Sequence, residues 1–258
     1  MPSRVRWLGL LLVLGIIGLW EGLTRSGLLN PSNFPPITAV GQALFADLFV
    51  GKVFVHMAVT LRSYAQGLAL ALAVGIPCGV LMGAFPGVHG AGRILLEFLR
   101  PIPSVAVIPV AVLLLGVEVK MRSAVVFYAS LWPILLNTLY GIHNVDPVYV
   151  ETARVFGRRR ADVLRVVVLP AALPYIFTGA RIASGIALVL AITSEMVAGT
   201  NGLGYYVKTS EMSLRVPEMY GGILLTGLLG YLLNVGFSRL EQRALGWYRG
   251  SQGQLGGG

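Results

Sequence analysis

The sequence predicts an all-α fold, a polytopic membrane protein with six transmembrane helices, and three observations carry that prediction. Only 12% of the 258 residues are charged, about half the share of a typical soluble domain, while 55% are hydrophobic and mean hydropathy is +0.76. Apolar residues continue in stretches of about 18 or more without period-two alternation, so the spans are helices and not barrel strands. Lysines and arginines gather in short stretches between those runs, as polytopic chains arrange them. That placement also sets aside a nucleic-acid surface, despite a net charge of +9. Cys78 is the only cysteine, so no disulfide can form within the chain.

The spans fall near 7–24, 61–85, 93–116, 121–143, 171–198 and 218–238, each suited to a hydrocarbon core of ~30 Å. The first follows Arg4 and Arg6 and resembles a signal peptide. No small-x-small cleavage site follows Trp20, so it is expected to remain as a span, with its outer loop reaching residue 33. Residues 34–60 are apolar enough to suggest a seventh span, but Asp47, Lys52 and His56 would then be buried, at about 2–3 kcal/mol for each charge. An amphipathic helix on the outer surface costs less, with Val40, Ala43, Leu44, Leu48 and Phe49 on one face.

The core domain, 61–240, holds the other five spans. Its second span of the chain repeats Gly75, Gly79, Gly83 and Gly87; its fifth repeats Gly179, Ala183, Ala187 and Ala191. Small residues every fourth position let a neighbouring backbone approach, either as ordinary tight packing or as a seam that slides. Pro101, Pro103 and Pro109 interrupt the third span, each removing a helix donor. The carbonyls this frees must face protein or water, in a structural kink or in the wall of a pathway. The tail, 241–258, ends in a glycine-rich stretch from Gly250 to Gly258 that is expected to be disordered. The basic residues favour both termini inside, together with Arg93, Arg100, Arg154, Arg165, Arg239 and Arg243. Arg25, Lys52, Arg62, Lys120, Arg122, Lys208 and Arg215 then lie outside.

One charged segment, 144–170, stands between two apolar spans. Asp146 caps a helix opened by Pro147, and Gly157 stops it; a second helix runs from about Arg160 to Leu169 and is ended by Pro170. Helices this short are marginal alone, and their Val, Ala and Phe side chains need a partner surface. The segment either passes movement between a soluble partner and the membrane or is a basic loop that fixes topology and touches lipid phosphates.

The same segment resembles the EAA motif of binding-protein-dependent ABC importer permeases: Glu-Ala-Ala, three residues, Gly, nine residues, then Ile-x-Leu-Pro. Here it reads Glu151-Thr152-Ala153, three residues, Gly157, nine residues, Val167-Val168-Leu169-Pro170. Thr152 and Val167 are the departures. "RPIPSVAVIPVAVLLLG" at 100–116, "WPILLNTLYGIHNVDP" at 132–147, "LPAALPYIFTGARIASG" at 169–185 and "SEMVAGTNGLGY" at 194–205 look like the nitrate, sulfonate, taurine and bicarbonate branch of that family.

The resemblance implies a type I ABC importer permease fold and a bacterial inner-membrane location. It implies a coupling helix docked on a separate cytoplasmic ATPase, with Glu151, Thr152, Ala153 and Gly157 in contact, Arg158, Arg159 and Arg160 on the rim, and Leu169 and Pro170 closing the motif. It also implies a homodimer of two permease copies, two ATPase subunits and an extracytoplasmic substrate-binding protein. A small anionic solute fits that branch, whereas related branches move thiamine-precursor pyrimidines or riboflavin. No GxxxxGK[ST] occurs, so no phosphate loop is visible in this chain. The permease itself is expected to be non-catalytic and without cofactor or metal, with ATP and Mg held by the partner ATPase.

Candidates for the translocation path are Ser104, Asn137, Tyr140, Arg181, Thr193, Ser194 and Glu195, polar or ionisable groups within or beside spans. Each has a quieter alternative. Arg181 snorkels to the inner surface, Glu195 braces the outer loop, and the others bridge neighbouring helices. His56, His89 and His143 are dispersed without metal spacing or a nucleophile–base pattern, which disfavours a membrane enzyme. Six spans without visible repeated halves disfavour a stand-alone secondary transporter.

Overall fold

A computed structural model describes residues 3–50 and 52–246. Among these the chain is helical, without a strand: α1 (Ser3–Arg25), α2 (Ile37–Val50), α3 (Lys52–Ala84), α4 (Pro86–Leu99), α5 (Ile108–Leu115), α6 (Val119–His143), α7 (Pro147–Val155), α8 (Arg160–Val163), α9 (Leu169–Ala198), α10 (Leu203–Met212) and α11 (Val216–Ala244). A 3₁₀ turn, Ser104–Val107, leads into α5, and a π turn, Leu164–Val168, joins α8 to α9. Five segments are long and apolar enough to cross a membrane; the bent pair Pro86–Leu99 and Ser104–Leu115 makes the sixth. The glycine-rich tail from Gly250 lies outside the described residues.

Helix α6 is the centre, with α3 packed on one side and α9 on the other. The α3 seam runs Gly67, Ala71, Gly75, Gly79 and Gly83. A Cβ added at Gly67 would stand 2.5 Å from Val126 Cβ, and one at Gly79 2.7 Å from the Leu135 carbonyl. Gly87, at the start of α4, meets nothing and is not part of the seam. On the other side, a Cβ at Gly179 would lie 2.8 Å from Asn137 Cβ, and Ala183, Ala187 and Ala191 are fully buried. Lipid is as apolar as a leucine side chain, so close backbone contact of this kind, with its dispersion gain, drives helix association in a membrane.

Four segments differ from the sequence-based boundaries. Helix α3 begins at Lys52 and not near 61, so His56 and Thr60 belong to its first turns. Helix α2 is a separate, short helix that packs on α11 through the side of Val40, Leu44 and Leu48. Phe49 leaves that face. It stacks on Phe45, its neighbour one turn back, with centroids 4.5 Å apart, and both rings are exposed. Asp47 is not stranded, because it accepts the phenol hydrogen of Tyr206 from α10. Burial first, and then the adjacent Asp47 carboxylate, push the Tyr206 phenol far above its ordinary range, so it stays protonated.

The third span is broken, its two halves meeting at 86°. Pro103 has no N–H to give the Leu99 carbonyl, which accepts instead from the Ile102 N–H at 3.2 Å and from the Tyr128 hydroxyl at 2.7 Å. The fifth span departs in the opposite sense. Pro170 was expected to end a helix, yet Arg160–Ala198 runs as one apolar helical segment. The π turn makes this possible: the Leu169 N–H reaches back to the Leu164 carbonyl, and Pro170 then falls in the first turn of α9, where a missing donor costs little.

Candidate functional site

The EAA segment forms a free-standing corner at one end of the bundle. At its start an Asp146 carboxylate oxygen accepts from the Val148 N–H at 2.9 Å, and Pro147 occupies the first turn. At its end the Arg158 N–H donates to the Ala153 carbonyl (3.1 Å) and the Gly157 N–H to the Arg154 carbonyl (2.9 Å), with Gly157 at φ +76°. This is a Schellman closure, and it gives two motif positions a physical role. Gly157 takes the left-handed conformation that a Cβ would strain, and Ala153 supplies the carbonyl that receives the chain as it turns.

The corner shows its apolar side outward. Val155 is 85% and Phe156 82% exposed, beside exposed Glu151, Thr152, Arg158, Arg159 and Arg160. Only Val163, behind them, is buried, within the corner itself. A depression of about 700 Å³ opens there, lined by Ala153, Phe156, Arg158, Asp162 and Val166 among others. Leu169 and Pro170 are half-buried where α9 begins.

The path candidates are scattered. Asn137 Nδ2 donates to the Pro133 carbonyl (2.8 Å), Thr193 Oγ1 to that of Val189 (2.8 Å) and Ser194 Oγ to that of Ala191 (2.8 Å), so each bonds within its own helix. Ser104 starts the 3₁₀ turn and is half-buried. Arg181 reaches α11, with Nε 3.3 Å from Asn234 Oδ1 and Nη1 3.5 Å from Glu241 Oε2. Tyr140 is exposed to a cavity between α4 and α6. Glu195 is buried at 1% exposure and faces the protein interior.

Against this geometry, the family model described as binding-protein-dependent transport system inner membrane component matches residues 75–244, well over half of the chain. The chain belongs to that family. The taurine transport system permease protein of Escherichia coli is 30% identical, over 90% of this chain and 86% of its own. The nitrate import permease protein of Leptolyngbya laminosa is 33% identical, over 86% of this chain and 82% of its own. The bicarbonate transport system permease protein of Synechocystis is 31% identical, over 89% and 85%. An inward-facing structure of the MetNI methionine ABC transporter shares the fold, with a TM-score of 0.65 at 17% identity over 77% of this chain and 98% of that one. The protein is thus an ABC transporter permease of the type I fold.

The permease also carries a buried polar centre that sequence reasoning only half found. Glu195 Oε2 accepts from Thr60 Oγ1 and from the Gly204 N–H, both at 2.9 Å. Arg122, 1% exposed, places Nη1 3.6 Å from Glu195 Oε1 and donates through Nη1 and Nη2 to the Asn201 carbonyl and Oδ1, both at 2.8 Å. The Leu203 N–H donates to Thr60 Oγ1 (2.9 Å) and the Gly202 N–H to His56 Nδ1 (3.1 Å). The loop between α9 and α10 is thereby fastened to α3, α6 and α9 at once. A Cβ at Gly202 would lie 2.2 Å from Glu195 Cδ, so the loop fits only with hydrogen there. Glu195 braces that loop, one of its two sequence-based readings. Arg122 and Thr60 were missed as its partners and His56 as the acceptor of the Gly202 N–H, each of them many residues away in the chain.

Proposed function

We propose that this permease is the membrane subunit of an ATP-driven importer, that it forms the translocation path for a small anionic solute, and that it couples to a separate ATPase through Glu151 to Gly157. The observation that carries the reading is the corner itself. It is a nine-residue helix, too short to stand alone, held by caps at both ends with Val155 and Phe156 turned outward beside a row of arginines. Such a surface is complete only when a partner covers it. The corner then lies in the cytoplasm with both termini, and the Arg122–Glu195 centre lies at the outer end, where a binding protein would deliver the solute.

Two copies would enclose the path, with two ATPases beneath. Nucleotide-driven closure of the ATPases would move the corners and bias the pair between inward- and outward-facing states. Relatives named for taurine, nitrate and bicarbonate support a small anion as cargo. Glu151→Lys places a cation where the partner is expected to offer one. It is expected to leave the permease in the membrane at normal amount while abolishing ATP-dependent uptake of taurine, nitrate and bicarbonate alike. Unchanged uptake of whichever of these the wild type carries would refute the coupling role.

A further inference from the structure

Helix α4 has two unlike sides. Ile94, Leu95 and Phe98 are 72%, 61% and 74% exposed and suit lipid, whereas His89, Arg93, Glu97 and Arg100 recur at helical spacing along the other side. That polar side faces α6 without packing on it. The two helices meet below, where the rings of His89 and His143 are 5.5 Å apart, and above, where the Tyr128 hydroxyl holds the Leu99 carbonyl. Between these points lies a cavity of about 610 Å³, walled by the polar residues and Tyr140 and floored by Leu96, Leu136 and Leu139. At about 30 Å³ per water it would hold roughly 20 waters.

The upper contact fixes the depth. Tyr128 stands about 22 Å along α6 from His143 at ~1.5 Å per residue, and Arg100 follows the residue that Tyr128 holds. Arg100 is therefore not at the membrane edge, where the distribution of charge in the sequence put it, but well inside the hydrocarbon level. A cation there is tolerated only toward protein or water. Glu97 is already engaged with Arg93 (2.6 Å), and the ion pairs among the described residues do not include Arg100. His89 Nδ1 is also buried without a partner.

We infer that this cavity is a water-filled part of the translocation path and that Arg100, facing into it, holds a small oxyanion there. The inference rests on the reading above that the permease forms the path for a small anion. One surplus positive charge, two arginines against one glutamate, selects by sign, and the apolar floor leaves room for a small organic tail. An anionic lipid headgroup has the same chemistry, and the test separates the two.

The test uses the full chain with Cys78→Ala and Leu136→Cys, in nanodiscs of neutral phosphatidylcholine. A sulfonate-bearing and a quaternary-ammonium methanethiosulfonate reagent are compared. The anionic reagent is expected to react about tenfold faster than the cationic one, a preference that one unscreened charge in a confined site produces. Arg100→Gln is expected to abolish the preference and Arg100→Lys to keep it. Ser213→Cys in the outer loop, in place of Leu136→Cys, should react equally in all three backgrounds, which shows that the fold is intact. Millimolar nitrate or taurine is expected to slow the anionic reagent in neutral discs. No reaction at Leu136→Cys, no charge preference, or protection seen only when phosphatidylglycerol is added would overturn the inference. None of these results touches the coupling role of Glu151, which is read by uptake.

Discussion

Removing Arg122 tests the physical account of the α9–α10 loop most sharply. In Arg122→Met the two hydrogen bonds to Asn201 vanish, and Glu195 remains buried with only Thr60 and the Gly204 N–H. Deleting one partner of a buried ion pair costs about 3–5 kcal/mol. The bond count agrees, since two hydrogen bonds from a charged donor contribute about 1.5–3 kcal/mol each. At ~1.4 kcal/mol per tenfold, local opening of the loop becomes roughly 100- to 5,000-fold more frequent. Amide hydrogen exchange followed by mass spectrometry reads this directly, because the Gly202, Leu203 and Gly204 N–H groups are all donated to side chains of the centre. Their exchange is expected to accelerate by that factor while the buried middle of α6 is unchanged. Adding Glu195→Gln, which removes the stranded charge, is expected to restore most of the protection. Acceleration below about threefold, or an equal loss of protection along α6, would refute the idea that the pair pins the loop.

Other expectations follow from single contacts. Gly79→Ala puts a methyl 2.7 Å from the Leu135 carbonyl and is expected to lower stability by about 1–3 kcal/mol, whereas Gly87→Ala, with nothing near, changes it by less than about 0.5; thermal loss of the monodisperse peak in detergent compares them. Gly157→Val forces a β-branched residue to φ +76° and is expected to cost about 1–2 kcal/mol locally, read as faster exchange of the Arg158 amide and weaker retention of the ATPase.

How much of this the residues disclosed depended on distance along the chain. The six spans follow from continuous apolarity, the Asp146 cap and the Gly157 stop from local turn chemistry, and both α6 seams from a spacing of four. Each of those signals lies within a few residues. Asp47, Lys52 and His56 were read as excluding residues 34–60 from a span, because of the cost of burying them. His56 in fact accepts a hydrogen bond from Gly202, far along the sequence, which periodicity does not reveal. Arg122 was read as an outer flank for the same reason: a charge at the edge of an apolar run looks like a boundary until Glu195 and Asn201 are folded over it. Pro101 and Pro103 announced a break, but not its 86° angle, nor that it would carry Arg100 so deep. Pro170 misled because a π turn, which has no residue signature here, absorbed it.

The claim of a coupling corner is tested most directly by purifying the tagged chain from its native membranes and identifying what accompanies it by mass spectrometry, for wild type and for Glu151→Lys. A stoichiometric P-loop ATPase that accompanies the wild type and is lost from the variant is the predicted result. A chain that emerges alone and still catalyses uptake in liposomes driven by an ion gradient would contradict it.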